Sequence, residues 1–127
     1  MSKTNYLETQ LLNHVLRNVS YSSPTTVYCA LFTVAPTETG GGTEVSGGAY
    51  ARQAVTFSAP SPDQVSNTTD VTFPIASADW GTIVAFAIMD AASGGNMLYY
   101  ANLTASRDVL TNDQLRFPTG QLIVTED

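Results

Sequence analysis

The segment Val27–Val34 (VYCALFTV) is apolar on both faces of an extended strand, and no other feature of the sequence constrains the fold as strongly. Successive side chains of a strand point to opposite faces of a sheet. One face carries Val27, Cys29 and Leu31, and the other carries Tyr28, Ala30, Phe32 and Val34. A strand with two apolar faces belongs in the middle of a layered structure. We expect a second sheet to cover one face and an N-terminal helix to cover the other.

Further segments have the composition of short strands and are separated by turn-forming residues. They are 49–57, 69–73, 82–89, 97–103, 114–117 and 121–125. The run Ser93–Asn96 (SGGN) is typical of a hairpin turn, because Gly and Asn tolerate positive φ. About seven or eight short strands without alternating helices predict a mainly β fold, an antiparallel β-sandwich or jelly-roll-like domain.

Residues 1–18 predict a single N-terminal α-helix. Its apolar residues recur at spacings of three and four and so share one face. They are Leu7, Leu11, Leu12, Val15 and Leu16. Asn5, followed three residues later by Glu8, predicts the N-cap. A helix of three or four turns is unstable alone in water, so it must dock on the domain or on a neighbouring subunit.

The length of 127 residues predicts one domain over 1–127, with the β-sandwich at 26–127. A glycine-rich loop is expected at 37–48, where five of twelve residues are glycine. A phosphate-binding loop is disfavoured there, because no Lys-Ser/Thr pair follows the glycines and no helix is predicted after them.

Charge and hydropathy exclude two classes of partner. The net charge of −6, with five Lys and Arg residues, provides no basic surface for direct nucleic-acid binding. No apolar stretch approaches the ~20 residues of a membrane-spanning helix. The charged fraction of only 13% favours contacts between protein surfaces, because few charged groups would lose water on burial.

The inventory of reactive side chains is small. His14 is the only histidine and Cys29 the only cysteine, and the carboxylates follow no recognised catalytic spacing. We therefore predict a non-enzymatic protein with no catalytic residue, no cofactor and no metal site. Two alternatives remain: a pair of carboxylates that cleaves glycans, and a calcium site in the loops.

Two stretches resemble a family of small virion proteins of tailed bacteriophages, whose members are often labelled tail-fibre proteins. They are GTEVSGGAYARQAVTF at 42–57 and ADWGTIVAFAIMDAASGGNMLYY at 78–100. The resemblance extends to the opening helix, the strand at 27–32 and the closing segment DQLRFPTGQL, and so covers nearly the whole chain. It implies a structural component of a phage particle.

The Glu-Val-Ser-Gly-Gly run and the residues after it have a physical interpretation. Gly47 and Gly48 allow a tight bend, after which Tyr50 and Arg52 share one face of a strand. Arg52 can then form a forked pair with a carboxylate, either Glu44 of the same chain or one on a neighbouring subunit.

Six residues are candidates for contacts with other subunits. Trp80, at the entrance of an apolar strand, is either a core aromatic or an interface anchor. The candidates are Leu7, Leu11, Glu44, Tyr50, Arg52 and Trp80.

The sequence lacks coiled-coil heptads and shaft repeats, which argues against a long fibre. We therefore expect a capsid decoration (cement) protein on the exterior of the virion. Its expected partners are copies of itself, with a trimer favoured, and the phage major capsid protein. The alternative is a structural adaptor associated with the tail or tail fibre, with or without a receptor-binding role.

Overall fold

The computed structural model describes residues 1–126, which form one α-helix and ten β-strands. The helix α1 spans Asn5–Leu16. The strands are β1 (Ser2–Lys3), β2 (Val27–Val34), β3 (Thr43–Glu44), β4 (Gln53–Val55), β5 (Gln64–Ser66), β6 (Val71–Thr72), β7 (Gly81–Met89), β8 (Met97–Val109), β9 (Arg116–Phe117) and β10 (Ile123–Thr125). The last residue of the predicted sandwich, Asp127, lies outside the described residues.

The first layer is a six-stranded antiparallel sheet in the order β1-β8-β7-β2-β3, with β4 also paired to β2. Its three long strands lie in the order β8-β7-β2. β2 is an interior strand, as its two apolar faces predict, because β7 pairs with one of its edges and β3 and β4 pair with the other. Strands β7 and β8 form a hairpin across Ser93–Asn96, the predicted turn. Asp90 fixes this turn by accepting a hydrogen bond from the backbone N–H of Asn96 at 2.7 Å.

The second layer consists of two antiparallel ribbons, β5 with β10 and β6 with β9. Apolar side chains from the ribbons and their flanking loops pack against one face of the first sheet, which makes the fold a β-sandwich. The prediction of fold class is confirmed. The shared core contains Cys29, Leu31, Val45, Val55, Val71, Phe73, Ala76, Trp80, Ile83, Phe86, Val109, Leu115 and Leu122.

Both faces of β2 carry buried apolar side chains, but only one face is covered as predicted, by the second layer. Cys29 and Leu31 lie in the shared core, while Ala30 and Phe32 join a second cluster on the opposite face. That second cluster is completed by Ala85, Ala87, Met89 and Met97. The small alanine side chains leave room for the flexible side chains of Met89 and Met97, which fill the space above them.

An irregularity in the β7–β8 pairing changes which side chains of β7 face the core. The register shifts between Ile83 and Ala85. Adjacent residues of a regular strand point to opposite faces, but Val84 and Ala85 both pack with the second cluster. Ile83 and Phe86, on either side of them, both reach the shared core.

The helix differs from its prediction in extent, cap and docking. Residues 2–3 form an edge strand instead of helix, because they pair with Tyr99 and Tyr100 of β8. Thr4, rather than Asn5, is the N-cap, and its hydroxyl accepts from the backbone N–H of Leu7 at 3.3 Å. The helix packs chiefly on β8 rather than on β2. It buries Leu7, whereas Leu12, Val15 and Leu16 of the predicted apolar face remain exposed.

Three short strands fall where no strand was predicted. β3 lies inside the predicted loop 37–48, β5 lies in the predicted turn region, and β1 lies in the predicted helix. Strands of two or three residues carry too few alternating side chains to give a pattern, and their pairing is set by the neighbouring strand.

Candidate assembly surface

A hydrogen-bonded cluster joins the glycine-rich loop to the main sheet. Its members are Glu44, Tyr50 and Arg52, named here the Glu44 cluster. Arg52 donates from Nε and Nη2 to the two carboxylate oxygens of Glu44, at 2.9 and 2.8 Å. Tyr50 donates its hydroxyl to Glu44 at 2.6 Å and accepts from the backbone N–H of Leu31 at 3.0 Å. The forked pair is therefore formed within the chain.

The remaining donor capacity of Arg52 goes to the β7–β8 hairpin. Its Nη1 donates to the backbone carbonyls of Ala91 and Gly94, both at 2.8 Å. The guanidinium thus links three segments by hydrogen bonds: the residue before β4, the loop that contains β3, and the β7–β8 hairpin turn. Only 9% of the Arg52 side chain is exposed, compared with 25% for Glu44.

The environment of the Glu44 cluster changes the acidity of its members. Partial burial on its own raises the pKa of Glu44, but hydrogen bonds from Arg52 and Tyr50 and the charge of Arg52 prevail and hold that pKa below its usual value. Burial and the hydrogen bond to Glu44 raise the pKa of the Tyr50 phenol. The cluster is therefore an ion pair with a neutral phenol at neutral pH, an arrangement suited to fixing a loop.

Gly48 lies against Trp80, at the inner end of the loop. The indole N–H of Trp80 donates to the carbonyl of Gly48 at 2.8 Å. A Cβ at Gly48 would lie 2.8 Å from the indole nitrogen and 2.9 Å from the carbonyl oxygen of Ala78. Gly48 also has a φ of +60° and Gly47 a φ of +76°, as the predicted bend requires.

Trp80 belongs to the core of the monomer. It is 5% exposed, and its ring meets that of Tyr50 edge-on, with centroids 5.4 Å apart. Tyr50 in turn stacks on Phe73 at 6.2 Å. Neither Trp80 nor Leu7, which is 6% exposed, offers much surface to a partner in this conformation.

The outer face of α1 is the largest group of neighbouring apolar side chains left uncovered among residues 1–126. Leu12, Val15 and Leu16, named here the α1 stripe, are 59%, 71% and 74% exposed. The stripe borders an open groove of about 870 Å³, whose walls include Leu11 and Leu98. Of the six predicted contact residues, Leu7 and Leu11 line this groove. Glu44, Tyr50 and Arg52 meet in the Glu44 cluster, which is separate from it. Their role as an interface stays a prediction.

Two buried polar residues were missing from the sequence-based candidates. Thr4 donates to the carbonyl of Met97 at 2.6 Å and fixes the helix to β8. Asn67 donates to the carbonyls of Thr69 and Pro118 and accepts from the backbone N–H of Leu122 at 2.9 Å. The role of Thr4 could have been found from the sequence, because Thr is a good N-cap residue and Thr4 lies one residue before the predicted cap. No sequence pattern indicated Asn67.

Reactive groups are not gathered into a site within residues 1–126. Cys29 is completely buried, and burial raises the pKa of its thiol. No group of three or more His, Cys, Asp or Glu side chains in this part of the chain is placed to hold a metal ion. None of its helices has the length and apolar character needed to cross a membrane.

Comparison with protein families gives a match over nearly the whole chain. The model of the family described as "Podophage GP4 fiber I protein gp80" matches residues 2–125. The chain belongs to this family. Among curated proteins, no significant match was found.

Membership of the GP4 fiber I family confirms the resemblance to tail-fibre-type phage proteins. The protein is a bacteriophage structural protein of the fibre type and a component of the virion. The match covers α1, the Glu44 cluster and both layers of the sandwich, so every feature described above lies in the region shared with the GP4 fiber I family.

Proposed function

We propose that this chain is a non-enzymatic structural subunit associated with the tail fibre of a tailed phage. It contributes a compact β-sandwich that packs against other tail proteins. The observation that carries the proposal is the match of residues 2–125 to a fibre protein family. The sequence favoured the capsid exterior, with the tail as the alternative. We now propose the tail and treat the capsid exterior as the alternative.

The compact fold limits the way in which the chain contributes to a fibre. Residues 1–126 form one short helix and two packed layers, and the longest strand has 13 residues. An elongated shaft needs coiled-coil heptads or a repeating β-structure. A protein of this shape therefore serves as a joint, a collar or a stacked unit. The length of the fibre then comes from contacts between neighbouring subunits.

The surroundings of the carboxylates support a role without catalysis. Glu44 is neutralised by Arg52, and Asp90 is bonded to the hairpin turn. Asp79 accepts from the backbone N–H and the hydroxyl of Thr111. A catalytic carboxylate must be free to exchange protons with a substrate, whereas these side chains are used to fix turns and loops.

Copy number tests the location. Virions are purified, and this protein is quantified by mass spectrometry against the major capsid protein and against a known tail protein of the same particle. We expect a few to a few dozen copies, in a fixed ratio to the tail protein. Hundreds of copies, in a fixed ratio to the capsid protein, would show a decoration protein and contradict the proposal.

A second assay tests the absence of catalysis. The purified protein is incubated with polysaccharide of the bacterial host, and reducing ends are measured over time. We expect no increase above that of heat-denatured protein. A steady release of reducing ends would overturn the non-enzymatic part of the proposal and leave the location unaffected.

A further inference from the structure

We propose that α1 is a self-association site: it pairs antiparallel with α1 of a second copy of this chain, across a two-fold axis, through the α1 stripe. This inference goes beyond the proposed function and does not depend on where the protein lies in the virion.

The stripe is exposed. Leu12, Val15 and Leu16 point to solvent as neighbours on one helix face, and Val19, just beyond the helix end, is 44% exposed. The other large apolar side chains exposed in residues 1–126 lie one to a segment and form no stripe on a single element: Val34, Ile75, Leu110 and Ile123. Single exposed side chains are ordinary, whereas a contiguous apolar patch marks a contact surface.

The stripe and the groove form one mostly apolar surface. Leu12, Val15 and Leu16 line the groove together with Leu11, Leu98 and Tyr99. A two-fold axis brings this surface of one copy against the same surface of the other, which is the geometry of a closed, isologous contact.

The two ends of α1 carry side chains of opposite charge type. Glu8 lies in the first turn, His14 in the last turn, and Arg17 at the C-cap. An antiparallel pair places acidic and basic ends side by side and also opposes the two helix dipoles, whereas a parallel arrangement places like ends together. Arg17 donates to Asn13 at 2.9 Å and therefore flanks the stripe rather than entering it.

Few side chains of α1 are buried against its own domain. The helix has 12 residues, and Leu7 is its one buried side chain. Helices of this length depend on tertiary packing of an apolar face for most of their stability. A second helix packed on the stripe supplies that contact.

The oligomeric state of the purified chain tests the inference. Sedimentation equilibrium over a range of concentrations is expected to show a reversible monomer–dimer equilibrium. Leu16→Glu places a charge in the stripe and should raise the dissociation constant at least about tenfold. The matched control, Leu110→Glu, adds the same charge at a site that is 52% exposed and away from α1, and should leave the dissociation constant unchanged.

A charge exchange tests the orientation. Glu8→Arg should weaken the pair, and the double variant Glu8→Arg, Arg17→Glu should restore part of the loss, because opposite ends again meet. Far-UV circular dichroism at low concentration checks that α1 remains folded in each variant. Val15→Lys, at a position 71% exposed, is a second stripe variant that should act as Leu16→Glu does.

Three outcomes would overturn the proposal. The first is a chain that stays monomeric at every concentration. The second is equal weakening by Leu16→Glu and Leu110→Glu, which would mean that added charge alone disrupts association. The third is a mass of three monomers, because a closed trimer has no two-fold axis across which two helices could pair.

Discussion

Gly48 and Trp80 show how a single residue can set the position of a loop. The loop backbone reaches the indole because Gly48 has no side chain and adopts a positive φ. The carbonyl of Gly48 then accepts from the indole, which satisfies a polar atom in the core.

Gly48→Ala should destabilise the fold more than Gly47→Ala. Both substitutions place an L-residue at positive φ, at a cost of about 1 kcal/mol. At Gly48 the new Cβ also collides with Trp80 and Ala78, whereas at Gly47 it meets nothing within 4 Å. We expect a loss of about 3 kcal/mol for Gly48→Ala. Urea unfolding followed by Trp80 fluorescence measures both, and equal losses would show that the collision is relieved without cost.

Glu44 should make the protein sensitive to acid. Because the pKa of Glu44 is lowered in the folded state, the folded chain binds fewer protons than the unfolded chain as the solution becomes acidic. The stabilisation is complete above the unfolded pKa of about 4.5 and is lost as pH falls through the folded pKa.

The difference between the wild type and Glu44→Gln isolates this contribution. The unfolding free energy of the variant should fall less steeply with decreasing pH. Some slope will remain, because hydrogen bonds from the backbone and hydroxyl of Thr119 also lower the pKa of Asp70. Glu38→Gln, on the same loop, is the control. Identical pH profiles for the wild type and Glu44→Gln would contradict the prediction.

Sequence reasoning at the residue scale succeeded where the partners lie close along the chain. The spacing of Glu44 and Arg52 around the two glycines made an intrachain forked pair one of two alternatives, because a tight bend returns the chain on itself, and the structure forms that pair. It gave no indication that the carbonyls of Ala91 and Gly94 complete the site. Backbone carbonyls are present at every residue, so only the fold determines which ones are near.

At the scale of elements, β2 and β7 were predicted closely, and β4, β6, β9 and β10 lie within longer predicted segments. β8 runs to Val109, six residues beyond the predicted segment 97–103, because its polar second half pairs with β7 without an apolar pattern of its own. The bounds of β2 agree with its two-sided apolar pattern residue by residue, and β7 differs at one end by a single residue. The predicted strand 49–57 shrinks to Gln53–Val55, because its first residues take part in the bend and the Glu44 cluster. Pattern alone could not place α1 on β8 either, since the apolar face of the helix does not specify which surface it meets.

Asn67 joins the ribbons of the second layer, and its loss should be costly. Asn67→Ala would leave the N–H of Leu122 and the carbonyls of Thr69 and Pro118 without their partner. Unpaired buried polar groups cost about 1–3 kcal/mol each, so we expect a loss of about 3 kcal/mol in total. Asn102→Ala, at an exposed position in β8, should change the unfolding free energy by less than about 0.5 kcal/mol. A loss below about 1 kcal/mol for Asn67→Ala would contradict this role.

At the scale of the whole molecule, both layers share one core, and this determines how the chain unfolds. Trp80 reports on the shared core, and far-UV circular dichroism reports on the main sheet and α1. We expect the two signals to change together in one transition during denaturant unfolding. Two separate midpoints would contradict the single domain predicted from chain length.

The shape of one copy does not fix the location in the virion. The absence of shaft repeats describes a single copy, whereas a fibre can also be built from compact copies in contact. The tail location proposed above rests on the family match, which agrees with the resemblance of residues 42–57 and 78–100 to tail-fibre proteins.

The burial of Cys29 has a practical consequence. The only thiol of the chain has no exposed surface, and its raised pKa keeps it protonated at neutral pH, so it will react slowly with maleimides while the protein is folded. A cysteine introduced at the exposed Ser93, on the tip of the β7–β8 hairpin, then becomes the single reactive position. The natural chain is thus ready for site-specific attachment of a gold or fluorescent label without first removing a cysteine.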